Sequence, residues 1–181
     1  KITHEAKSKG LAVVVWSYPR GGKLKKEDET AIDVVSYAAH IAAQMGADII
    51  KIKPPTMHIS KEDVSNLYSK HNVKIDSLSE RISYCIKSSF NGKRIVIFSG
   101  GPAKGEEEIL NEIKEIAEGG GFGSIVGRNS FQRPFNEGVS QPNAISEPLG
   151  IFALFVNFLV ILVLKCLLPS QVPSLRKSLV N

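Results

Sequence analysis

The sequence predicts an α/β fold in which parallel strands form a sheet and helices pack outside it. Two observations carry this expectation. Short β-favouring apolar runs recur near residues 11–17, 49–53, 94–99 and 123–126, and each stretch between them holds at least one helix-length amphipathic segment. Each run also closes on proline or glycine, which stops a ladder and opens a loop. In such a sheet the C-terminal ends of the strands gather on one side, and the chemistry of this architecture collects there. At 181 residues and 43% hydrophobic, the chain can bury the core of one ordinary domain, but it is short of the roughly 250 residues of an eight-stranded α/β barrel.

Taken in order, Lys1 to Gly10 is polar and ends in glycine, as the tail of a helix does. Leu11 to Ser17 (LAVVVWS) reads as a buried strand bounded by Pro19 and Gly21-Gly22, with Val14, Trp16 and Tyr18 on one face. Arg20 to Asp28, with Lys23, Lys25 and Lys26, reads as a solvated loop. Glu27 to Met45 has apolar residues at Ile32, Val35, Ala38, Ala39, Ala42 and Met45, the spacing of one helix face, and Gly46 ends it. Ile49 to Lys53 is a second strand closed by Pro54 and Pro55. Ser60 with Asp63 resembles a capping box ahead of a helix over Lys61 to Lys70, and a second helical pattern covers Leu78 to Ser89. Asn91-Gly92 is a turn, Arg94 to Ser99 a third strand, and Gly100-Gly101-Pro102 a tight loop. Glu106 to Glu118 reads as a helix with acids in its first turn, Gly119 to Gly121 stops it, and Gly123 to Val126 is a fourth strand.

The net charge of +5 does not make a nucleic-acid surface. Residues 1–140 carry 20 Lys and Arg against 17 Asp and Glu, interspersed, and no aromatic residues interleave with the lysines. A small anionic ligand fits this balance better. Cys85 and Cys166 show no metal or redox spacing and read as ordinary apolar-side thiols, so a reducing, cytoplasmic setting is expected. His4, His40, His58 and His71 fall at no strand end and share no ligand spacing on one helix face. No metal and no cofactor are expected.

The four strand ends carry Trp16 and Tyr18, Lys51 and Lys53, Ser99 with Gly100 and Gly101, and Gly127 with Arg128. Alternation puts Lys51 and Lys53 on one face, opposite Ile50 and Ile52. On an edge strand both lysines would simply face water. Inside a barrel, desolvation and the like-charged neighbour would push one amine toward its neutral, nucleophilic form. Glycine at a strand end lets backbone amides approach a phosphate, and Arg128 adds a charged fork. The glycine spacing of GFGSIVG does not match a dinucleotide fingerprint, and GGPAKG lacks the Lys-Ser/Thr of a P-loop. A lysine, a tyrosine one strand away and two phosphate-type loops at one end of a sheet are what imine chemistry on a phosphosugar requires.

Four stretches in order, WSYPRGG (Trp16 to Gly22), AAHIAAQMGADIIKIKPPT (Ala38 to Thr56), FNGKRIVIFSGGPAKG (Phe90 to Gly105) and GGGFGSIVGRNSFQRP (Gly119 to Pro134), resemble the archaeal-type class I fructose-bisphosphate aldolases of the DhnA-like group. The resemblance implies a TIM (βα)8 barrel of which this chain holds the last four strands. The first four, with an aspartate that the family carries near the start of the barrel, would lie outside it. It also implies that Lys51 forms the Schiff base, that Tyr18 is the general acid/base and that Trp16 lines the site. Ser99, Gly100 and Gly101, with Gly127, Arg128 and Asn129, would hold phosphate. The implied substrate is a phosphorylated sugar, fructose 1,6-bisphosphate, cleaved to two triose phosphates. The implied assembly is a homo-oligomer of the full barrel.

The aldolase-like part spans 1–135, followed by a polar linker at 136–148, a hydrophobic segment at 149–168 and a tail at 169–181. Leu149 to Leu168 has 17 apolar residues in 20. As a helix it would be about 30 Å long, enough to cross a bilayer, with Lys165 near one end. The expectation is therefore a hydrophobic C-terminal helix and, where it inserts, membrane association. Two other readings stay open: a sister Schiff-base enzyme on another phosphorylated ketose or a diketone, and a catalytically silent, membrane-tethered protein.

Overall fold

The computed structural model describes residues 1–99 and 105–125. Four strands, β1 (Val14–Trp16), β2 (Ile49–Ile52), β3 (Ile95–Ser99) and β4 (Gly123–Ile125), form one sheet in the order β1-β2-β3-β4. Every pairing is parallel. A parallel pair needs a crossover, and here each crossover contains a helix. α1 (Ile2–Ser8) precedes β1, α2 (Ile32–Gln44) links β1 to β2, α3 (Glu62–Lys70) and α4 (Leu78–Ser88) link β2 to β3, and α5 (Glu106–Glu118) links β3 to β4. Consecutive βα units with sequentially adjacent strands are the arrangement of part of a TIM-barrel architecture.

Register separates the two faces of the sheet. Trp16, Lys51, Ile97 and Gly123 lie in one row across the strands, so their side chains share a face. The neighbouring positions, Ile50, Ile52, Val96 and Phe98, point the other way and are buried. They pack in one cluster with Val35, Ala39 and Ala42 of α2, Ile82 and Cys85 of α4, and Ile116 of α5. Full burial of an isoleucine or phenylalanine contributes about 1.5–3 kcal/mol, so this layer drives the fold. The opposite face is left to carry Lys51. Cys85 is fully buried and its thiol is pushed up by desolvation, which leaves it inert.

Three expectations change. The segment over Glu27 to Met45 is not one helix: Glu27–Thr30 is a 3-10 turn, and Ala31 is extended, with ψ at 139°, before α2 starts. A tertiary tie overrides the local acids. Ala31 bridges to Thr56, the Thr56 amide donates to the Thr30 carbonyl at 2.8 Å, and the Ile32 amide donates to the His58 carbonyl at 2.9 Å. The capping box is also elsewhere. The Ser60 amide donates to Asp33 Oδ1 at 3.0 Å, and Lys61 takes the cap position of α3 without a side-chain cap. The reciprocal box belongs to α4, between Ser77 and Glu80. Its next two amides, Leu78 and Ser79, donate to Glu115 Oε2 of α5 at 2.9 and 3.3 Å.

The third correction concerns the membrane. No helix among the described residues is long and apolar enough to cross one. The longest, α2 and α5 with 13 residues each, rise about 20 Å, against about 30 Å of hydrocarbon. The expected membrane association, and the location built on it, fall with that finding. The 149–168 run and the 136–148 linker lie outside the described residues.

The end of α5 is a tight spot. A Cβ on Gly119 would stand 2.5 Å from the Ser79 carbonyl oxygen and 2.6 Å from Ile82 Cβ. One contact is backbone and the other a fully buried side chain, so neither yields cheaply. Gly119→Ala should destabilise the protein by about 1–3 kcal/mol through overpacking. Urea unfolding followed by circular dichroism checks this, and an unchanged midpoint would mean that α4 and α5 separate freely.

Candidate active site

The parallel register brings the four strand ends together, and the residues there come from separate elements. Trp16 closes β1 and Tyr18 follows it, while the ladder continues one step past Trp16 as the Ser17 amide donates to the Lys51 carbonyl at 2.8 Å. Lys51 lies beside Trp16, with its Nζ 5.2 Å from the indole centroid. That distance is within the range of a cation–π contact. The Tyr18 hydroxyl spans β2 and donates to the Ser99 carbonyl at 3.3 Å. The Ser99 hydroxyl donates to the Ile125 carbonyl at 2.9 Å, tying the ends of β3 and β4. Trp16, Tyr18, Lys51 and Ser99 therefore share one end of the sheet.

The two lysines that alternation could not separate have different surroundings. Lys53 Nζ is 3.1 Å from Glu29 Oε2, with only 19% of the lysine and 10% of the glutamate side chain exposed. It also sits 6.0 Å from the Tyr18 ring centroid. Lys51 makes no ion pair among the described residues, and burial pulls its amine below the ordinary lysine value. A larger fraction of it is thus neutral near pH 7. Burial pushes the Tyr18 phenol above its ordinary value, with the Ser99 contact and the Arg20 charge pulling partly back. A phenol held protonated in this way can deliver a proton and take it back.

Glu29 escaped the sequence reading, which placed it in the first turn of a longer helix. The signal that could have found it is the acid run Glu27-Asp28-Glu29 immediately after three lysines, ahead of Thr30. Its neighbours anchor the same turn. His58 Nε2 lies 2.8 Å from Asp28 Oδ1, and Asp28 Oδ2 accepts from the Lys25 amide at 3.3 Å. The His58 contact comes first among the causes that hold the Asp28 carboxyl below its usual range. Glu27, Asp28 and His58 bring ligand-type atoms within 4.8 Å of one another, but Asp28 and His58 are spent on each other, tying the turn to the 56–60 segment, and Glu27 lies 3.9 Å from Lys25 Nζ. His40 is structural too, with Nδ1 2.9 Å from the Ser88 carbonyl. Gly100, Gly101, Gly127, Arg128 and Asn129, expected at the phosphate loops, lie outside the described residues.

Residues 1–133 match the family model described as DeoC/LacD family aldolase. The chain belongs to the DeoC/LacD aldolase family. Among its relatives, the probable class 1 fructose-bisphosphate aldolase of Chlamydia muridarum is 36% identical over 163 residues, 81% of this chain and 45% of that protein. The class 1 fructose-bisphosphate aldolase of Thermoproteus tenax is 38% identical over 134 residues, 74% of this chain and 41% of that protein. A Methanocaldococcus jannaschii relative, 30% identical over 146 residues, is named both as fructose-bisphosphate aldolase and as 6-deoxy-5-ketofructose 1-phosphate synthase; the match takes in 80% of this chain and 40% of that protein. Among solved structures, an archaeal fructose 1,6-bisphosphate aldolase superposes with a TM-score of 0.61 at 35% identity, covering 82% of this chain and 48% of that one. Another archaeal structure, captured with its catalytic lysine covalently bound to the carbinolamine intermediate, superposes at 0.59 with 33% identity, covering 80% of this chain and 49% of that one. The chain thus spans 40–49% of the length of these aldolases, and its four βα units match part of them.

Proposed function

We propose that these strand ends form the imine-forming part of a class I aldolase site that cleaves fructose 1,6-bisphosphate to dihydroxyacetone phosphate and glyceraldehyde 3-phosphate. The observation that carries the reading is the contrast between the lysines: Lys51 is partly desolvated beside Trp16 with no ion pair among the described residues, whereas Lys53 is ion-paired with Glu29. In this reading the Lys51 lone pair adds to the C2 ketone, water leaves, and the resulting iminium withdraws electrons as the C3–C4 bond breaks. Tyr18 moves the proton at the cleaving bond, and Trp16 walls the amine. Ser99, Gly100 and Gly101 and the Gly127-Arg128-Asn129 turn take the phosphates, a role that rests on family membership. The catalytic unit ends near residue 135, in keeping with the family match to 133. The complete barrel assembles as a homo-oligomer.

The dual name of the Methanocaldococcus relative favours a second reading, in which the same imine serves carbon–carbon transfer between phosphorylated ketoses. Product analysis separates the two. Fructose 1,6-bisphosphate given to this chain, completed by four further βα units, should release triose phosphates in a coupled assay, and cleavage should survive EDTA. Arg128→Ala should raise the KM for the bisphosphate by about one to two orders of magnitude, the loss of a charge-assisted contact of roughly 1.5–3 kcal/mol. Loss of activity to chelator with recovery on zinc would sink the Schiff-base reading, and an unchanged KM would remove Arg128 from the phosphate site.

A further inference from the structure

Two lysines two positions apart on one strand face stand about 6.6 Å apart at their Cα atoms, and each carries a flexible four-carbon stem. Nothing in that spacing prevents either amine from reaching a ketone at the strand end. The difference is supplied by Glu29, a carboxylate with about nine-tenths of its surface buried. Glu29 Oε2 stands 3.1 Å from Lys53 Nζ and 3.2 Å from Lys26 Nζ. Its turn is fastened independently of the lysines. Ala31 bridges to Thr56, Thr56 donates to the Thr30 carbonyl through both its amide and its hydroxyl, and Asp28 holds His58. A buried carboxylate on so fixed a turn holds Lys53 in one place, over the Tyr18 ring.

Building on the class I reading above, we infer that Glu29 is a positioning residue that selects the reacting lysine. It holds the Lys53 amine in an ion pair, away from the ketone, so Lys51 is the amine that condenses. The condensation joins Lys51 Nζ to the ketone carbon, expels the carbonyl oxygen as water and leaves an iminium. Hydride from added borohydride reduces that iminium to a stable secondary amine.

The test uses the whole chain, dihydroxyacetone phosphate and borohydride, with peptide mass mapping of the adduct. The unsubstituted protein should carry label on Lys51. In Glu29→Gln, Lys53 loses its anionic partner, and its share of the label should rise by at least about ten-fold. Adding Lys53→Met to Glu29→Gln should return all label to Lys51, which a general loosening of the fold would not do. Label confined to Lys51 in Glu29→Gln at the original yield would overturn the inference. A measurement without any variant guards against a misfolded Glu29→Gln: trace acetylation of the unsubstituted protein should modify Lys51 at least about ten times faster than Lys53. Equal rates overturn the Glu29 assignment. Absence of a phosphate-sugar adduct on both lysines sinks the class I reading instead, while the acetylation ratio still decides the role of Glu29.

Discussion

Replacing Lys51 with methionine is expected to abolish imine formation and to lower cleavage by at least about three orders of magnitude, because removing a covalent nucleophile removes the pathway and not a fraction of it. The substitution is close to isosteric along the stem, and Lys51 has no ion-pair partner among the described residues to leave uncompensated. The thermal midpoint should therefore change little while activity disappears. That separation is the diagnostic. A Lys51→Met protein that cleaves at more than a tenth of the original rate would transfer the chemistry to another amine, and a protein that unfolds would leave Lys51 a structural role beside Trp16.

Tyr18→Phe should divide the reaction in two. Adduct formation needs the amine and the ketone, so borohydride trapping should persist. Breaking the C–C bond needs a proton moved at the departing hydroxyl, so cleavage should slow by about 100-fold or more. The fold gives this residue little structural duty, since among the described residues its hydroxyl makes one long contact, 3.3 Å to the Ser99 carbonyl. Burial keeps the phenol protonated at neutral pH, so the step that depends on Tyr18 should hold through neutrality and change only as the pH climbs toward that raised value. Single-turnover kinetics resolve the steps. Equal losses in trapping and cleavage would make Tyr18 a packing residue.

The strands and their order were legible because each is an apolar run closed by glycine or proline, a signal carried within about seven residues. Lys51 and Lys53 could be named from the sequence, but the choice between them could not, because alternation makes them equivalent. What distinguishes them is Glu29, 24 positions before Lys53 along the chain, reached only once the Ala31 to Thr56 bridge has folded one loop onto another. The same bridge explains why the helix start was misplaced: three acids ahead of an amphipathic run satisfy every local rule for a first turn. Ser60 misled in a similar way. Its amide is drawn to Asp33, 27 positions away, while the true box at Ser77 and Glu80 was present in the sequence with the expected spacing. Local pattern located the elements, and long-range polar contacts decided how their ends are used.

The most direct test of the account is where the imine forms. Incubating the chain with dihydroxyacetone phosphate and borohydride, then digesting and mapping the peptides, should find one reduced adduct, on Lys51 in the segment Ile49–Pro54 that contains β2. An adduct on Lys53 with Lys51 unmodified, or cleavage activity with no adduct on either lysine, would contradict it.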